Sequence, residues 1–268
     1  MRGVPPRRAG GWPRHWHRVP DSQPVTHSSS IQPGVPQRLP SAVVETIDDY
    51  TGHVAPGGAA SRRTLNALTI TKLSVGPMDN NAYLLVCSRS GDALLVDAAN
   101  EPERLSDLIG HGPDRPRLRT IVMTHQHADH WQALGAVAGA TGAQTVAHPA
   151  DAEPLPVPPD VLAEHGDVLT VGECELEVIH LRGHTPGSIA LLYRDPGGRP
   201  HLFTGDSLFP GGVGRTTNPA DFTSLITDVS ERVFGYLPDD TWLYPGHGDD
   251  STLGTQRPHL AEWRERGW

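Results

Sequence analysis

Short apolar runs, punctuated by turn residues, occupy the chain from about residue 65 onward. Runs of this length bounded by Gly, Pro, Asn and Asp read as strands. The pattern predicts strands over 68–75 and 82–87, with Met78-Asp79-Asn80-Asn81 as the turn between them. It predicts others over 93–97, 120–124 and 145–147, then a Pro-rich loop over 150–159. Further strands are expected near Val168 and over 176–181, 189–193, 201–204 and 241–244. Helical stretches are expected over 101–109, where Asn100 and Pro102 suit a helix start, and over 131–140 and 221–236. One short helix is expected within 254–268. Each half of the chain is strand-rich and then helical. Two sheets sandwiched between helices would bury both sets of strands.

The first 40 residues break this pattern. Pro, Arg, Ser, Gly and Gln dominate there and aliphatic residues are few. Such a segment has little to bury against its ordering entropy, so residues 1–40 are expected to be a disordered tail. Residues 41–64, with Gly52 and Pro56-Gly57-Gly58 as loop markers, read as an extended lead-in. Residues 65–268 are expected to form the folded domain. A chain of 268 residues allows one domain of about 200 residues plus a tail.

Composition removes several classes of function. The net charge is −9 and the pI about 5.9, against the basic surface that sequence-independent nucleic-acid binding needs. No apolar run approaches the roughly 18 residues that span a bilayer. The basic start, including Arg7-Arg8, is not followed by the apolar run of an export signal. The two cysteines, Cys87 and Cys174, fall in strand-like segments and are expected to be buried thiols. The expected location is the cytoplasm.

The chemistry lies just past the strand ends. Ile121-Val122-Met123-Thr124 leads into His125-Gln126-His127-Ala128-Asp129-His130. His184 follows the run 176–181, Asp206 follows 201–204, and His247 follows 241–244. Alternate residues of an extended segment point the same way, so His125 and His127 can share one ion. Asp129 and His130 then sit where the chain turns toward a helix and can face a second. Imidazole and carboxylate donors suit zinc and its borderline neighbours. Five His and two Asp are too many for one tetrahedral ion and the right number for two ions sharing a carboxylate.

These motifs, with Gly183-His184-Thr185-Pro186-Gly187-Ser188, Thr204-Gly205-Asp206-Ser207, Pro245-Gly246-His247-Gly248 and Gly211-Gly212-Val213-Gly214-Arg215-Thr216, resemble the metallo-β-lactamase-fold hydrolases. Within that group the chain is most similar to the short glyoxalase II-like (hydroxyacylglutathione hydrolase-like) thioester hydrolases. The resemblance implies an α/β (α+β) fold, a four-layer αββα sandwich. It implies two divalent ions, zinc first with iron or manganese as substitutes. His125, His127 and His184 would hold one, Asp129, His130 and His247 the other, and Asp206 would bridge. A hydroxide shared by the ions would attack the thioester of a small thiol, with Asp129 also placed to orient the water. Aspartate at the bridge separates the chain from many β-lactamases of this fold, which place cysteine there.

Three further residues are candidates for the substrate. Arg215 could bind a carboxylate, Asn81, beside Asn80, lies in a site-flanking turn, and Trp131 could wall the pocket or pack its helix. The partner is a small molecule, with no nucleic acid and no membrane; the oligomeric state stays open. Full-length glyoxalase II continues into a helical domain that grips glutathione, and the few residues after His247 do not make one, so the thiol carrier is open. So are two other chemistries of the same fold. One is persulfide dioxygenation at a single iron held by His125, His184 and Asp206. The other is hydrolysis of a lactone, phosphodiester or β-lactam.

Overall fold

A computed structural model describes residues 43–111 and 116–267. The tail expected over 1–40 lies outside the described residues. Two sheets form the centre. The first has eight strands in sequence order, from Thr46–Ile47 to Val161–Leu162. The second has six, with Pro200–Gly205 between Ile189–Arg194 and Trp242–Pro245, and Val168–Val171 and Ser251–Thr252 at its edges.

Strand alternation explains the layering. Along Leu68–Val75, the side chains of Leu68 and Ile70 join the core between the sheets, while Leu73 and Val75 join the core on the outer face. The same division separates Tyr83 and Leu85 from Leu84 and Val86 on the neighbouring strand. Phe203 and Tyr244 bring the second sheet into the shared core, where their rings stack at 4.5 Å. Helices Pro102–His111 and Leu134–Thr141 cover the outer face of the first sheet. Pro219–Asp228, its continuation Val229–Phe234 and Leu260–Arg266 cover that of the second. This is the four-layer αββα sandwich.

Several boundaries differ from the sequence reading, each for a visible reason. Ala60–Thr64, inside the expected lead-in, pairs antiparallel with Leu68–Val75 and belongs to the first sheet. Its polar sequence hid it, because its arginines find partners at the surface: Arg62 pairs with Asp48, and Arg63 lies over Trp242. The helix expected from Trp131 starts only at Leu134, because Ala128–His130 forms a tight 3₁₀ turn. The helix expected over 221–236 starts at Pro219, where Asn218 caps it by accepting from the Ala220 and Asp221 amides, and it widens into a π-helical stretch at Val229. Cys87 and Cys174 are buried free thiols. Among the described residues, no helix is long and apolar enough to cross a membrane.

Candidate metal centre

Both sheets aim strand ends at one spot. His125, His127, Asp129 and His130 follow Arg117–Val122 of the first sheet. His184, Asp206 and His247 follow Cys174–His180, Pro200–Gly205 and Trp242–Pro245 of the second. Loops on a rigid sheet scaffold are a common home for functional side chains. All seven predicted residues meet here. Donor atoms of His125, His127 and His184 lie within 4.8 Å of one another, as do those of Asp129, His130 and His247. Asp206 stands between the triads: Oδ2 is 3.6 Å from His184 Nε2 and 3.4 Å from His247 Nε2, and Oδ1 is 3.3 Å from His130 Nε2.

Outer partners fix which ring nitrogen faces inward. His184 Nδ1 is 2.8 Å from the Arg215 carbonyl, and His247 Nδ1 is 2.8 Å from that of Met78. His130 Nδ1 is 2.8 Å from Asp97 Oδ2, and His125 Nδ1 is 3.0 Å from Thr124 Oγ1. With Nδ1 so engaged, each ring turns Nε2 toward the centre, where those of His130 and His247 lie 3.2 Å apart. Close packing permits the approach. A Cβ on Gly246 would come within 2.1 Å of Asp206 Oδ1 and 2.8 Å of His130 Cε1, so no larger residue fits there.

The donor set fits divalent cations. His125 Nε2, His184 Nε2 and Asp206 Oδ1 are buried without a hydrogen-bond partner, although Oδ1 lies close to His130. Leaving buried polar atoms unpaired costs about 1–3 kcal/mol each. Three such atoms converging from three loops make a cradle for a positive ion.

The electrostatics divide the site in two. Burial pushes the His125 pKa well down, helped by the charge of His130, and burial likewise lowers that of His184. Burial also opposes charge on His130, but Asp97 and Asp206 outweigh it and hold the ring up at about 10. His247 is held up to about 10 by Asp129 and Asp206, again against burial. Burial works against the Asp206 carboxylate, yet His130 and His247 keep its pKa well below the usual range. His247, and then Asn80, hold that of Asp129 down.

The three substrate candidates part company. Arg215 is exposed and lines a cleft of about 390 Å³ together with His127, His184, Thr216 and Thr217. Trp131 packs partly against the outer core and donates its indole N–H to the Gln126 carbonyl at 2.8 Å, bracing the His125–His127 turn. Asn81 does not face the cleft. It is buried, and its amide donates to the carbonyls of Pro245 and Gly248 at 2.9 Å. Its even-numbered neighbour Asn80 turns the other way and donates to Asp129 Oδ2 at 2.8 Å. The alternation of the strand that starts at Asn80 decides this, where the sequence pattern predicts a turn.

Two carboxylates escaped the sequence reading. Asp97, buried and at φ 58°, accepts from the Thr124 amide and hydroxyl as well as sitting on His130. Its signal was present: like the ligands, it ends an apolar strand. Asp151, buried in the Pro-rich loop, accepts from the Gln126 amide, the Thr185 hydroxyl and the Gly187 amide. It ties the His125–His127 turn to the His184 turn.

The chain is similar to known proteins. The metallo-beta-lactamase superfamily model matches residues 75–247. A hydroxyacylglutathione hydrolase of Polaromonas sp. (strain JS666 / ATCC BAA-500) is 37% identical over 170 residues, 63% of this chain and 62% of its own. The match thus spans about three fifths of that relative's length. Among solved structures, ETHE1 from Myxococcus xanthus is 27% identical with a TM-score of 0.63, over 73% of this chain and 84% of its own. TTHA1623, solved in a di-iron-bound form, is 30% identical with a TM-score of 0.57, over 69% of this chain and 96% of its own.

Proposed function

From the premise that the chain belongs to the metallo-beta-lactamase superfamily, we propose that it is a dinuclear hydrolase cleaving the thioester of a small thiol. The observation that carries the reading is the second triad. Asp129, His130 and His247 cluster as tightly as the first three histidines, and Asp206 stands between the groups. One ion would need only one of them. The hydroxyacylglutathione hydrolase relatives point to the thioester.

His125, His127 and His184 would hold one ion, Asp129, His130 and His247 the other, with Asp206 shared. The chemistry that divalent ions supply when bound in such a site is Lewis-acid activation of a water and of a substrate carbonyl. The chain's own groups do the rest. Asp129, kept ionised by His247 and Asn80, is an acceptor that orients the attacking water. Asp97 and the Met78 and Arg215 carbonyls keep the imidazoles in the tautomer that faces the centre. Arg215, on the cleft beside His127 and His184, would draw in a substrate carboxylate. A thiolate leaves readily, so no separate general acid is required. Zinc is the ion we favour, and the partner is a small molecule rather than nucleic acid.

The test is metal content of the purified protein, followed by thiol release from a panel of acyl thioesters. About two ions per chain with thiol release is the expected result. A second reading, persulfide oxygenation at one iron, draws on the likeness to ETHE1. About one iron per chain, with oxygen uptake on a persulfide and no thioester cleavage, would put it in place of the first.

A further inference from the structure

Lys72 is fully buried, in a position where lysine is rarely found. It occupies the inward register of Leu68–Val75, in line with Leu68 and Ile70, and stands opposite Tyr83. Its Nζ donates three hydrogen bonds: to the Gly52 carbonyl at 2.8 Å, the Gly248 carbonyl at 2.7 Å and Asp250 Oδ1 at 2.8 Å. The other oxygen of Asp250 accepts from the Tyr50 hydroxyl at 2.6 Å and the Trp242 indole at 2.9 Å. Both charged side chains are wholly shielded from solvent.

A buried ion pair is weak support for stability, since apolar residues of similar volume often serve as well or better. What this pair grips is therefore informative. Gly248 directly follows His247, and Gly246 precedes it. Gly246 must be glycine for space, and Gly248 sits at φ 66°, so the turn has little stiffness of its own. It has to be held from outside. Lys72 and Asn81 converge on the same Gly248 carbonyl.

We propose that Lys72, locked by Asp250, is a positioning residue for the His247 turn. It sets the affinity of the Asp129, His130 and His247 triad for its ion and leaves the other triad untouched. The inference rests on the dinuclear reading above.

The experiment is equilibrium dialysis against graded free zinc, with metal per chain and melting temperature measured for wild type, Lys72→Met and the double variant Lys72→Met/Asp250→Leu. In the double variant no charge is left unpaired, so it should stay folded even where the single variant does not. Wild type should fill two steps. In both variants one step should move to about 10–100-fold higher free zinc, as loss of an outer partner of a ligand typically does, and the other should stay in place. A general loosening would shift both steps together, and that result, or a folded double variant with two wild-type steps, overturns the proposal. A wild type that fills only one step instead brings down the dinuclear reading itself.

Discussion

The two triads sit side by side yet are built on opposite electrostatic plans. The first is histidine-only, and burial keeps His125 and His184 from holding protons. The second mixes Asp129 with His130 and His247, and the surrounding carboxylates keep both rings charged when no ion is there. In the first triad, His125 and His184 present bare nitrogen donors. In the other, protons occupy the place a cation would take. Metal ligands must be deprotonated, so the same ion meets proton competition in one half and little in the other.

The most severe way to break this comparison is to remove what the triads share. Asp206→Ala should lose both ions together, with activity falling by more than about a hundredfold, the upper scale for even an outer partner. Full activity in that variant would end the dinuclear mechanism. Asp97→Asn comes next. Its carboxylate is on His130 directly and on His125 through Thr124, so zinc affinity should weaken by about 10–100-fold, more in the second triad. Competition with a chromophoric chelator would show whether the two steps shift unequally.

Lowering the pH sharpens the contrast without a mutation. Below about 10 the rings of His130 and His247 gain protons in the metal-free site, so the second triad should lose affinity steadily as pH falls across the neutral range. His125 and His184 have lowered pKa values, so their hold on an ion should change little until more acid conditions. Metal per chain after dialysis between pH 8 and pH 5.5 should therefore drop by one ion first, at roughly tenfold in affinity per unit for each proton displaced. Simultaneous loss of both would show that the division is not real. The smallest effect is expected from Asp151→Asn, which weakens only the tie between the His125–His127 and His184 turns. It should cost about 1–3 kcal/mol in chemical denaturation, and its metal defect should fall on the first ion.

Legibility followed chemistry more closely than architecture. The gathering of His125, His127, Asp129, His130, His184, Asp206 and His247 is legible because residues of metal-binding type recur in short motifs after apolar strands. Asp97 shares the strand-end signal but stands outside any motif, and Asp151 has no signal at all, because a solitary carboxylate in a loop looks the same whether it braces a site or faces water. Lys72 could have been found: a cation in the apolar register of a strand is a contradiction that needs a buried partner. The strand Ala60–Thr64 is illegible because only Ala60 and Ser61 are buried, while its arginines are satisfied by Asp48 and by aromatic rings. Asn81 was misjudged by one step of the pleat, the shift that reverses every side chain of a strand.

The donors are drawn from both sheets, four from the first and three from the second. Bound ions would therefore act as rivets across the seam between the two halves of the sandwich. Loading would then add to the stability of the fold. At free metal about a hundred times the dissociation constant, each rivet would add about 2.7 kcal/mol to the work of pulling the halves apart. A cell short of the ion would then hold a less stable protein as well as an idle one.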